Sequence, residues 1–216
     1  MKPAIEGLYI GLPRKITNES GSFVSGIWKD PVSEIYLAKE GIAGDGVANP
    51  KFHGGPERVL CVYSSEHYGY WANVCGRQLP PGAFGENLTA AGMLEKDVCI
   101  GDIYKIGDAV LQVSQGRDPC YTISRRNEYD PLLSKIIETG YTGFFFRVLE
   151  EGWVRRDSEI ELLEKHPKQV TIEAANEVLF RDLGNDSAVQ ELMEIPELAE
   201  AWKATLVRRV NKYKQA

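Results

Sequence analysis

The sequence predicts a mainly β protein: a small barrel with a few flanking helices, then a short three-helix segment that makes the whole chain α+β. Two patterns carry that prediction. Up to His166-Pro167 the chain is built of short β-branched and aromatic runs separated by Gly, Asn and Asp, which reads as many short strands with turn punctuation. Beyond that point the apolar residues recur at helical spacing.

The strand candidates are residues 7–12, 23–28, 34–38, 58–63, 102–106, 110–114, 143–149 and 160–163. Val59-Leu60-Cys61-Val62-Tyr63 is apolar on both faces, as a strand covered on both sides must be. Ile-Gly-Asp occurs at 100–102 and again at 106–108, and two Gly-Asp turns so placed read as successive hairpin bends. Two helices interrupt the β pattern. One starts near Ser64 or Ser65 and carries Tyr68 and Trp71; the other spans 130–140, with Asp130 as a cap, Pro131 in the first turn and Gly140 at the exit. After Pro167, Thr171 caps a first helix, Ser187 with Gln190 signals a capping box for a second, and Leu198, Trp202, Leu206, Val210 and Tyr213 line one face of a third. Three short helices make a marginal core alone. They are expected to dock on the barrel or on a partner subunit, the latter making a homodimer.

Composition removes several function classes. The net charge of −6 repels a polyanion, so no nucleic acid is expected. No apolar run reaches membrane-spanning length. Residues 1–7 lack the apolar core of a secretion signal, so a cytoplasmic protein with reduced thiols is expected. The cysteines, Cys61, Cys75, Cys99 and Cys120, form no C-x-x-C pair, and no H-E-x-x-H helix exists. Any cysteine that matters therefore matters singly.

Cys120 is the candidate. It sits in Ser114-Gln115-Gly116-Arg117-Asp118-Pro119-Cys120-Tyr121, on a loop leaving a strand, with Arg117, Arg125 and Arg126 within ten positions. Nearby cations favour the thiolate, the form that ligates metal or attacks. The ordinary alternative is a small buried apolar residue, which is how Cys61 and Cys99 read. His53-Gly54-Gly55 precedes the buried strand and Arg58 opens it. Two glycines let backbone amides approach an anion, or simply make a turn. Gly82-Ala83-Phe84-Gly85-Glu86-Asn87-Leu88 is a second glycine-bracketed loop, whose carboxylate and amide could meet a heterocycle or fold the loop on itself. Arg147 interrupts an aromatic strand on the face of Phe145 and Leu149. An inward arginine needs an anion, either a protein carboxylate or a ligand phosphate.

Gly44-Asp45, His53-Gly54-Gly55-x-x-Arg58, Phe84-Gly85-Glu86-Asn87-Leu88, Ile100-Gly101-Asp102 and Ser114-Gln115-x-Arg117-x-Pro119-Cys120 occur here in the order of a MOSC domain, the C-terminal domain type of molybdenum cofactor sulfurases. The chain resembles the YiiM-like branch in particular, which adds three helices after the barrel. The resemblance implies a MOSC β-barrel over 1–165 and a helical segment over 168–216. It also implies a molybdenum cofactor (a phosphorylated pyranopterin dithiolene) with Cys120 as the metal ligand, and reduction of small N-hydroxylated compounds such as hydroxylamino-purines or amidoximes. A separate flavin or iron–sulfur reductase would supply the electrons; pyridoxal phosphate is not expected. His53, Gly54, Gly55, Arg58, Arg117 and Arg147 are then candidates for the cofactor's phosphate and pterin edge. Gly85, Glu86, Asn87 and Asp118 are candidates for ring contacts or proton delivery. Two rivals keep Cys120 but change the chemistry: a sulfur carrier bearing a Cys120 persulfide, and a noncatalytic cofactor-binding module. One position departs from the family pattern. Gly116 stands where related sequences usually have proline, which predicts a looser loop.

Overall fold

The doubly apolar run in the middle of the chain becomes the strand Leu60–Ser64, every residue of which is buried. The computed structural model describes residues 2–18 and 21–215. In chain order these form β1 (Ala4–Ile10), β2 (Arg14–Asn18), β3 (Gly21–Ser25), β4 (Asp30–Val32), β5 (Glu34–Ala38) and β6 (Gly41–Ile42). Next come α1 (Pro50–His53), a single 3-10 turn over Pro56–Arg58, β7 (Leu60–Ser64), α2 (Glu66–Cys75), β8 (Leu88–Ala91), β9 (Ile103–Ile106) and β10 (Ala109–Gly116). The remainder is α3 (Thr122–Arg126), α4 (Leu132–Thr139), β11 (Phe144–Glu150), β12 (Gly152–Arg155), β13 (Ile160–Glu164), α5 (Ile172–Phe180), α6 (Asp186–Met193) and α7 (Glu200–Lys214).

Eight strands make one curled sheet, a half-barrel, in the order β13-β9-β10-β11-β7-β8-β1-β4. Register shifts in β1, β10 and β13 mark bulges, which bend and twist a strand enough to roll the sheet. β12-β5-β6 form a second small sheet, and β2-β3 an isolated hairpin. β7 lies between antiparallel β11 and parallel β8, which is why it could carry no polar face. Leu60, Val62, Phe144, Phe146, Leu111 and Val113 fill the half-barrel. Ile172, Leu179, Leu192, Trp202 and Leu206 of the C-terminal helices belong to the same apolar cluster, so those helices dock on this barrel's own core. Among the described residues no helix is long and apolar enough to cross a membrane.

Most of the expected elements form. The Gly107-Asp108 turn joins β9 to β10, and Thr171 caps α5 by accepting the Ala174 N–H at 3.1 Å. Three expectations need correction. Asp130 does not cap α4; its carboxylate accepts the Tyr121 hydroxyl. Asn185, not Ser187, caps α6 by accepting the Ala188 N–H. Tyr213 lies exposed on the last turn of α7. The short strands β2, β4, β6, β8 and β12 were not foreseen, because two to five residues carry too little alternation to read.

Candidate functional site

β10 ends at Gly116, and residues 117–121 form the loop that bears Cys120 before α3 begins. The loop is tied at both ends. The Arg117 N–H donates to the Gly143 carbonyl at 3.0 Å, and the Cys120 carbonyl accepts the Ile123 N–H at 3.1 Å. Pro119 is buried and fixes one backbone angle of the intervening turn. Between these anchors Cys120 is half-buried with a free thiol. The looser loop expected from Gly116 is packed instead. A Cβ built on Gly116 would lie 2.7 Å from Asn176 Oδ1 and 3.4 Å from Ile172 Cγ2, so glycine lets α5 press directly on the loop.

Cations gather beside this loop. Arg117 has one buried guanidinium nitrogen, Nη1, with no hydrogen-bond partner, and leaving such a group unpaired is costly. Arg58 donates through Nε and Nη2 to the Gly54 carbonyl at 3.0 and 2.6 Å, which fixes its planar head across the Gly54-Gly55 turn. His53 ends α1 at the surface. Loss of solvent, then the charges of Arg117 and Arg58, hold its pKa below the usual histidine value, with Asp118 opposing them. His53, Arg58, Arg117 and Asp118 therefore share one electrostatic neighbourhood. Gly55 lies beside it with φ +104°. An orphaned guanidinium nitrogen flanked by further cations suits an anionic ligand. Among the described residues no three His, Cys, Asp or Glu side chains converge as a metal site. A metal at Cys120 would bring its remaining ligands with it.

Cys61 lies beneath the same region. Its side chain points away from Leu60 and Val62 and feels Arg117, Lys29, Glu86 and Asp45, but burial dominates and pushes the thiol's pKa up. It remains the inert thiol that its apolar strand suggested.

The Glu86-Asn87 loop is also close by, and its polar groups are already committed. The fully buried Glu86 carboxyl accepts from Tyr68 Oη, Thr89 Oγ1 (2.9 Å) and the Phe84 N–H (3.1 Å). Burial and Glu86 push the Tyr68 phenol well up, which keeps it a neutral donor. Asn87 accepts the Cys61 N–H and donates to the Tyr9 carbonyl and to Asp45 at 2.9 Å. Gly85 takes φ +76°, and a Cβ there would sit 2.7 Å from Ile27, so only glycine closes this turn.

Arg147 stands apart. It projects from the outer face of β11, where Glu57 pairs with it and Gln112 and the Glu197 carbonyl accept from it at 2.8 and 2.6 Å. Of the two anions open to it, a protein carboxylate is the one present.

Several residues of the site were not foreseen. Lys29 pairs with Asp45, which also accepts the Gly11 N–H at 2.8 Å; a single lysine after Trp28 gave no signal. Arg125 and Arg126, singled out in the sequence as cations near Cys120, lie over the rings of Phe23 (3.6 Å) and Trp28 (4.8 Å). Arg209 reaches Asp118 from α7 at 2.8 Å. A signal for it existed, because Arg209 falls seven residues after Trp202, on the helix face that the apolar residues define.

A MOSC domain model matches residues 49–161, taking in Cys120, Arg117 and the Glu86-Asn87 loop. The chain belongs to the MOSC-domain family. A YiiM-like 3-alpha helix domain model matches 170–212, the docked helices. The uncharacterized protein YflK of Bacillus subtilis is 38% identical over 97% of this chain and 95% of its own length. The crystal structure of YiiM from Geobacillus stearothermophilus superposes with a TM-score of 0.82 at 33% identity, covering 96% of this chain and 99% of that one. A protein named reductase from Gibberella moniliformis is 35% identical over 89% of this chain, which spans only 38% of that longer protein.

Proposed function

We propose that this MOSC protein is a cytoplasmic, molybdenum-cofactor-dependent reductase of small N-hydroxylated compounds, with Cys120 as the protein's ligand to the metal. The observation that carries the reading is the half-buried Cys120 thiol on a loop whose Arg117 keeps a buried guanidinium nitrogen without a partner. One soft ligand and one unsatisfied cation are what a sulfur-bound metal and an anionic tail require of a protein. The Gibberella relative's name supports the reductase class.

In this reading Arg117, with Arg58 and His53 beside it, holds the cofactor's phosphate, and the Gly54-Gly55 turn lets the backbone come close. When bound, the cofactor would supply the two-electron chemistry. The chain supplies the rest. Cys120 is held by the loop's two anchors. Glu86 and Asn87, already bonded to protein, hold the neighbouring loop in shape rather than move protons. Arg147, bonded to Glu57, supports the β11 face and takes no part at the phosphate. With no pair of redox cysteines or cluster motif in the sequence, the electrons come from a separate flavin or iron–sulfur protein.

The test is molybdenum content per chain for wild type and Cys120→Ala, beside turnover of an N-hydroxylated purine with a chemical reductant. Metal and turnover in wild type, both lost in the variant, support the reading. Wild type that carries cyanide-labile sulfur and no molybdenum identifies a persulfide carrier instead. Molybdenum without turnover identifies a binding module.

A further inference from the structure

We propose that Arg209 is a positioning residue for the Cys120 loop, holding Asp118 from the last helix so that the C-terminal segment completes the site. Two contacts on the same loop carry this. Arg209 Nη2 donates to Asp118 Oδ1 at 2.8 Å, two residues before Cys120. Asn176 of α5 lies directly under Gly116, at the loop's other end, and its amide donates to the Gly140 carbonyl (3.1 Å) and to Thr142 Oγ1 (2.9 Å). The helical segment thus bonds the loop at Asp118 and packs against the strand end just before it.

Arg209 is itself held in place. Its guanidinium lies over the Phe180 ring at 5.1 Å and donates to the Leu179 carbonyl at 3.4 Å, both at the end of α5. The planar head therefore meets Asp118 in one orientation, which a lysine could not reproduce. Each partner is about one-third exposed, so the pair is a weak source of stability but a specific constraint on direction. It has an electrostatic side as well. Among the described residues Asp118 is the anion that raises the His53 pKa, against Arg117 and Arg58. The consequence for the metal rests on the reductase reading; the coupling between helix and loop does not.

Hydrogen exchange of cofactor-free protein separates the two. In Arg209→Ala the peptide covering 116–124 should exchange about fivefold faster, the factor expected for losing one partly exposed ion pair, while peptides of α6 keep their wild-type rates. Asp118→Asn should give the same loop effect, and adding Arg209→Ala to it should give no more. The exchanged pair, Asp118→Arg with Arg209→Asp, should restore protection, and Lys214→Ala, whose partner is Asp186, should change nothing in the loop. Should Arg209→Ala fail to fold, Arg209→Met keeps the stem over Phe180 and carries the same test. Unchanged loop exchange, additive effects of the two single variants, or faster exchange spread evenly over α5–α7 overturns the proposal. Where the loop responds as described but wild type carries no molybdenum, the reductase reading fails and the positioning role stands.

Discussion

The two loops that flank Cys61 dispose their polar groups in opposite ways. In the Glu86-Asn87 loop both oxygens of Glu86 and both ends of the Asn87 amide are bonded to protein. In the Cys120 loop a thiol stands free and a buried Arg117 nitrogen has no partner. Both loops carry acids, amides or cations that could meet a ligand, yet only the second has binding capacity left over. A saturated network rigidifies a site; an unsaturated one takes part in it.

Four experiments break or sharpen that contrast. The largest effect is expected for Cys120→Ala, which should lose bound molybdenum and all turnover while its stability stays within about 0.5 kcal/mol of wild type, by metal analysis and thermal melting. A variant that keeps full turnover removes Cys120 from the chemistry. Glu86→Ala should do the reverse, acting on the fold. Three donors lose their acceptor, at about 1 kcal/mol or more each, so melting should fall by roughly 6–12 °C. If Glu86→Ala melts like wild type, the network is not what holds that loop. Gly116→Ala comes next: its Cβ meets Asn176 at 2.7 Å, and the clash should cost about 1–3 kcal/mol in a denaturant titration. An unperturbed midpoint would show α5 yielding easily.

The smallest effect concerns His53. Desolvation and the Arg117 and Arg58 charges hold its folded pKa down, so the unfolded chain takes up its proton at a higher pH than the folded one. Stability is therefore lost as pH falls below about 6.5, the ordinary histidine value. Arg117→Met removes one of the repelling charges, so the His53 resonance should titrate at higher pH than in wild type, with less loss of stability on acidification. A titration that does not move, or moves down, places Arg117 away from His53.

Much of this could be read along the chain. The doubly apolar β7, the Gly-Asp hairpin after β9, the Thr171 cap and the switch to helices beyond Pro167 are local patterns, and local patterns survive in sequence. So did the ordered motifs that carry the family. The bonding state of each polar group did not survive. Arg147 and Arg117 look alike as arginines at the edge of β runs, yet Arg147 has both terminal nitrogens bonded, one of them to Glu57, while the terminal Nη1 of Arg117 stays unpaired. Glu86 and Asp118 look alike as loop acids, yet one is bonded by residues at most eighteen positions away while the other is held from ninety-one residues away.

By itself, then, the order of residues determined the class of fold, the segment that folds helically, and the one cysteine placed on a loop leaving a strand, since each depends on neighbours within a few positions. Only the tertiary structure decided which cations stay unsatisfied and which helix holds the Cys120 loop. Those outcomes depend on pairs such as Asp118 with Arg209 and Gly116 with Asn176, brought together by docking the C-terminal helices on the barrel core, and no local pattern encodes such a contact.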